Sequence, residues 1–196
     1  MTSGKRLILA FGVGLLTTVA SLSVAQAQYG YPPPPPRGVY RSGLVFGGSI
    51  GAGTMVSSGC GDLCGGSGMI EGHLGGMINP RLALMGDFFG SVHPWDDGYY
   101  TGQTYHGIFT FAAQFWVSDI VWLKGGIGFA HLQFGYDGAA APLDDESGLG
   151  TMLAGGVELV RSYNFTLDGQ LRFTRGVYST GPDVSNIGLM IGVNWY

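Results

Sequence analysis

From residue 165 to 174 the chain alternates without a break: Phe165, Leu167, Gly169, Leu171 and Phe173 stand against Thr166, Asp168, Gln170, Arg172 and Thr174. A period of two sends successive side chains to opposite faces of an extended backbone, so this stretch predicts a strand with one apolar and one polar face. The same pattern recurs. Ile187, Leu189, Ile191, Val193 and Trp195 oppose Gly188, Met190, Gly192 and Asn194. Ile70, Leu74 and Ile78 oppose Glu71 and His73, and Leu82, Leu84 and Phe88 oppose Asp87. In phase with these, Phe109, Phe111, Phe115, Leu123, Ile127, Phe129, Leu153, Val157 and Leu159 belong to the apolar face, and Gln114, Lys124 and Glu158 to the polar one.

Proline cannot donate to a sheet ladder, so Pro80, Pro94, Pro142 and Pro182 mark breaks. Between them eight segments are long enough to cross a bilayer as tilted strands: 43–57, 69–78, 82–92, 105–117, 121–136, 149–161, 165–178 and 187–196. An even number brings both ends to one side. The connections alternate as well. Those near 79–80, 118–119 and 162–164 are two or three residues long, whereas 58–68, 93–104, 137–148 and 179–186 are longer and rich in Gly, Asp and Ser.

Composition decides which kind of barrel this is. Only 11% of residues are charged while 45% are hydrophobic and 37 of 196 are Gly, against roughly 25% charged in an ordinary soluble domain. A soluble up-and-down barrel keeps its apolar residues inside and its charges outside. Here the charges share a face with Gly and Thr, and the bulky apolar side chains share the other. The sequence therefore predicts an all-β fold, an eight-stranded antiparallel up-and-down transmembrane β-barrel with its polar face inward. Trp116, Trp122, Tyr163, Trp195 and Tyr196 at one set of strand ends, and Trp95, Tyr99, Tyr100, Tyr105, Tyr136 and Tyr178 at the other, suggest two aromatic girdles.

The N-terminus reads as an export signal. Lys5 and Arg6 precede a mostly apolar stretch over 7–24 and an Ala25-Gln26-Ala27 cleavage site. Residues 1–27 are expected to be removed, leaving the mature chain to begin at Gln28; an uncleaved anchor is the alternative. Loss of Lys5 and Arg6 from nine cations leaves seven against 13 acids, a mature charge of −6 that offers nucleic acid no footprint. Residues 28–42 contain five consecutive prolines at 32–36 and read as a stiff, Pro-rich periplasmic linker, or less plainly as a proline-recognition ligand. Residues 43–196 form the barrel domain.

Signal, eight alternating strands, short turns, long loops and a terminal aromatic strand together resemble small outer-membrane barrel proteins of the OmpA/OmpX type. The resemblance implies an outer-membrane location, contact with lipid and lipopolysaccharide, both termini periplasmic, and delivery by the outer-membrane assembly machinery, which reads a terminal aromatic. Tyr196 matches that residue. The alternate positions behind it are Asn194, Gly192 and Met190, so Trp195, which leads the apolar series, is the second candidate for the assembly signal.

Eight strands enclose a lumen that side chains just fill. Glu71, His73, Asp87, Gln114, Lys124, Glu158, Asp168 and Arg172 are expected inside as a paired, hydrogen-bonded network that plugs it. A proton or ion path is the functional alternative. Against a full plug stand the inward glycines Gly47, Gly51, Gly53, Gly126, Gly128, Gly188 and Gly192, which add no filling volume. Cys60 and Cys64 share the first long loop of an exported chain and are expected to form a disulfide. His93, Asp96, Asp97 and His106 flank the second long connection, where a rim protease would need its acids and bases, but solvated loop residues are the plainer reading. No cofactor, metal or enzymatic activity is expected. The expected function is structural or surface-interacting, and the alternative is a small channel for ions or hydrophobic solutes.

Overall fold

The computed structural model describes residues 39–58, 64–96, 101–136 and 144–196. Each alternating segment is a strand: β1 (Leu44–Ser57), β2 (Gly65–Asn79), β3 (Leu82–Asp96), β4 (Thr101–Trp116), β5 (Val121–Tyr136), β6 (Asp144–Arg161), β7 (Phe165–Tyr178) and β8 (Val184–Trp195). Neighbours in sequence pair antiparallel, and β1 closes on β8 from Phe46↔Trp195 to Ser57↔Val184. Closure leaves no unpaired sheet edge, the condition for a backbone in hydrocarbon.

The three short turns are held locally. Asn79 Oδ1 accepts the Arg81 N–H at 2.9 Å around Pro80, and Ser118 Oγ accepts the Val121 N–H at 3.1 Å. Ser162 N–H donates to the Phe165 carbonyl at 2.8 Å. Chain entry into β1 needs Gly43, whose φ of +76° suits glycine; its carbonyl accepts the Met77 N–H at 2.8 Å.

Alternation translates directly into burial, inverted relative to a soluble barrel. Phe129 and Leu189 are each 70% exposed on the outer face, while Arg172 and Asp87 are each 1% exposed inside. The apolar residues assigned outward in the middles of the strands, Ile70, Leu74, Phe88, Phe111, Leu123, Ile127, Leu153 and Leu171 among them, are all exposed.

At the long-loop end several strands outrun their sequence-derived limits, by four residues in β2, β3 and β4 and by five in β6. Pro94 lies within β3 opposite Gln103, not in a loop. The β2–β3 pairing has ended by then, at Gly68↔Val92, so on that side proline's missing N–H interrupts no ladder.

Candidate functional site

The interior is built in layers from the inward face of every strand. In the central layer Glu71 on β2 and Asp87 on β3 meet Lys124 on β5 and Arg172 on β7. Arg172 binds Asp87 with both terminal nitrogens, at 2.8 and 3.1 Å, and reaches Glu71 at 3.2 Å. Lys124 Nζ bridges the same carboxylates at 3.0 Å to Asp87 and 3.2 Å to Glu71. Glu71 also contacts His73 Nδ1 at 2.7 Å and accepts Ser49 Oγ at 2.8 Å. Two acids and two cations thus neutralise one another away from water, the condition for keeping charge buried. Donor atoms of Glu71, His73 and Asp87 lie within 4.8 Å of one another, close enough to share a cation. The ammonium and guanidinium already occupy that position, so the triad is an ion-pair centre.

Toward the short-turn end Asp168 accepts Asn194 Nδ2 at 2.7 Å and Trp122 Nε1 at 3.2 Å. The next layer centres on Glu158. Arg41 Nη2 contacts both its oxygens at 2.8 and 2.7 Å, Trp116 Nε1 donates at 2.8 Å, Arg161 lies at 3.2 Å, and Tyr196 Oη donates at 3.4 Å. The Arg41 guanidinium also stacks 4.7 Å from the Trp116 ring and donates to the Asp119 carbonyl at 2.9 Å. Glu158 sits at a register shift between Glu158 and Val160, a bulge of the kind that re-aims side chains near strand ends.

All eight residues expected in the lumen are buried there, Glu71, His73, Asp87, Gln114, Lys124, Glu158, Asp168 and Arg172 at 8% exposure or less. The inward glycines open no crevice. Their missing side chains are replaced by neighbours lying flat across them: an ideal Cβ would stand 2.7 Å from the His73 ring at Gly47, 2.6 Å from Met69 at Gly53, 2.6 Å from Met190 at Gly51 and 2.7 Å from Asp168 at Gly192.

Trp116, Trp122, Tyr178 and Tyr196 differ from the girdle assignment. Trp116, Trp122 and Tyr178 are buried inside, at 0, 1 and 7% exposure. Their polar tips explain Trp116 and Trp122, since each indole N–H serves a buried carboxylate. The parity that places Gln114 and Lys124 inward places these tryptophans inward too. Trp195 does face outward, stacked on Phe46 with ring centroids 5.3 Å apart, whereas Tyr196 packs with the interior.

His93 and His106 are not solvated loop residues. Both are buried in the lumen, His93 Nδ1 against the Gly66 carbonyl at 2.8 Å and His106 Nδ1 against Asn186 at 2.6 Å. Asp96 is exposed and Asp97 lies outside the described residues. Sequence reasoning missed Arg41, which sits outside any alternating segment and offered only its charge as a signal.

Cys60 lies outside the described residues; Cys64 Sγ accepts the Ser57 N–H at 3.2 Å. Mass spectrometry of the non-reduced mature protein should show one Cys60–Cys64 linkage. Two alkylatable thiols in protein from the cell envelope would contradict it.

No protein-family model matches the sequence, and no curated protein matches it significantly. Among solved structures, the attachment invasion locus protein Ail of Yersinia pestis is similar at 14% identity and TM-score 0.56, covering 79% of this chain and 99% of that one. Neisserial surface protein A is similar at 17% identity and TM-score 0.56, covering 79% and 97%. A second structure of Ail, in complex with the heparin analogue sucrose octasulfate, gives 15% identity, TM-score 0.52 and coverage of 79% and 99%. The fold is that of these small eight-stranded outer-membrane barrels.

Proposed function

We propose that this chain is an outer-membrane barrel with a structural or surface-interaction role, its lumen closed by the charged network. The observation that carries this reading is the inverted barrel: an apolar exterior across the strand middles around stacked layers of paired charges. The short-turn end also gathers the first and last described residues of the barrel, through the Tyr40 N–H to the Tyr163 carbonyl and the Tyr196 N–H to the Asn164 carbonyl, each at 3.0 Å. With an export signal over residues 1–27, that end is the periplasmic one and the long loops face outward. Lipid and lipopolysaccharide surround the apolar band, and the assembly machinery reads the Trp195–Tyr196 terminus. No catalytic role is assigned on this reading: His93 and His106 are buried inside the barrel, and the exposed His131 pairs with Asp145 at 3.1 Å.

Charge distribution bears on the surface partner. By sequence Asp62, Asp97 and Asp137 belong to the long connections, and Asp96, Asp144, Asp145, Glu146 and Asp183 lie at or beside the strand ends next to them, where among the described residues Arg175 is the one Lys or Arg and already pairs with Asp183 at 2.7 Å. A polyanion such as the heparin analogue bound by Ail would meet like charge there, whereas a cationic partner would be steered in.

Planar-bilayer recording tests the closed lumen. The mature protein should show no sustained conductance, because a path requires separating buried pairs. Long-lived ion-selective steps that vanish when Arg172 or Asp168 is replaced would overturn the plug and make the channel the correct reading.

A further inference from the structure

On the outer face of the β5–β6 pair the apolar band ends at the cross-strand partners Phe129↔Leu149, 70% and 50% exposed, and the next two outward pairs are His131↔Ser147 and Gln133↔Asp145. Four polar residues thus form a two-by-two patch bordering the lipid-facing surface. Residues 145 and 147 fall in the sequence-derived loop 137–148, and only the five-residue extension of β6 sets them opposite β5.

His131, Asp145 and Ser147 are all exposed in that patch. His131 Nδ1 lies 3.1 Å from Asp145 Oδ1, and a carboxylate at Nδ1 holds the ring proton there, leaving the lone pair on Nε2. Directly opposed residues of an antiparallel pair carry their Cβ atoms about 4.5–5.5 Å apart, so the Ser147 hydroxyl is within reach of the His131 ring. A hydroxyl beside an imidazole that a carboxylate orients is the constellation that makes serine a nucleophile, and its hydrogen bonds tighten when substrate is bound.

We propose that this patch is a hydrolytic site for the acyl ester of a membrane lipid, with Ser147 as nucleophile, His131 as general base and Asp145 as the residue that positions the imidazole. Ester groups of a bilayer lie just beyond its hydrocarbon core, the level of the first polar row above Phe129 and Leu149. A lipid needs no cleft there, because the bilayer itself holds the acyl chains against the barrel. Ser147 Oγ adds to the ester carbonyl carbon while its proton passes to His131 Nε2. The bond from that carbon to the lipid alcohol then breaks, and the imidazolium returns the proton to the departing oxygen. Water, deprotonated by the same Nε2, cleaves the acyl-serine, which releases the fatty acid and restores the hydroxyl. Gln133 supplies a neutral amide donor beside the developing oxyanion. The site requires the membrane barrel but not the closed lumen, since every member stands outside it.

The test uses the mature protein refolded into phosphatidylethanolamine–phosphatidylglycerol vesicles, with or without lipopolysaccharide. An alkyl fluorophosphonate should label Ser147, located by peptide mass spectrometry, and free fatty acid should appear. A lysophospholipid or a deacylated lipopolysaccharide as the second product identifies the source of the ester. Ser147→Ala should abolish label and turnover, and His131→Gln should lower turnover by about 100-fold or more. Asp145→Asn should lower kcat with KM little changed, whereas Ser185→Ala, an outward serine on β8, should alter neither readout. A folded barrel that releases no fatty acid from either lipid overturns the site and leaves the barrel standing. Label on another residue, or turnover that survives Ser147→Ala, overturns it equally.

Discussion

Replacing Arg172 with methionine is expected to destabilise the folded barrel by about 3–5 kcal/mol, the usual cost of removing one partner from a buried ion pair. The side chain is 1% exposed and makes two bonds to Asp87 and one contact to Glu71. Without it Lys124 alone faces two buried carboxylates. Urea-induced unfolding of barrel refolded into lipid vesicles measures the effect directly. Methionine fills most of the volume, so a loss below about 1 kcal/mol would mean that packing, not charge, holds the centre. Combining Arg172→Met with Asp87→Leu should cost much less than the two single changes added together, because the double variant leaves one acid opposite one cation.

The second large effect lies on the other face. Leu171→Arg should cost about 2–4 kcal/mol, as for a cation placed on the lipid face at the bilayer midplane. Leu171 is 52% exposed and sits midway along β7, where its outward neighbours are equally apolar. Gln170→Arg, one residue away, should cost clearly less. Gln170 points inward, where its amide and Asp168 both border Gly192, so an arginine there meets a carboxylate instead of hydrocarbon. The reverse ranking in the same vesicle assay would refute the facing of the whole strand, since a slip of one residue reverses every side chain.

The facing of residues such as Leu171 and Asp168 was legible from sequence because a strand has only two sides and the barrel makes them chemically opposite. Parity alone then placed all eight lumen residues. Strand ends were less legible, since near the long loops the pattern dissolves into Gly, Ser and Asp while backbone pairing continues; Pro94 belongs to that region. Trp116 and Trp122 were misplaced because an aromatic near a strand end suits either an interfacial belt or a buried hydrogen bond, and composition does not separate them. The glycine question turned on three-dimensional neighbours. Whether Gly47 or Gly53 leaves a gap depends on His73 and Met69 lying across them, which no local pattern announces. Arg41 was invisible for a related reason: its partner Glu158 is 117 residues away.

That distance belongs to a wider asymmetry in where the central charges come from. The carboxylates Glu71 and Asp87 enter with β2 and β3, but Lys124 and Arg172 arrive only with β5 and β7. A sheet grown into the bilayer strand by strand would carry two naked anions through hydrocarbon until the C-terminal half followed, an expensive intermediate. The chain gains by delaying insertion until the sheet has begun to curl and anions face cations across it. Its entry into the membrane should then be a concerted event, with Arg41 and Tyr196 converging on Glu158 only once the first and last strands have met.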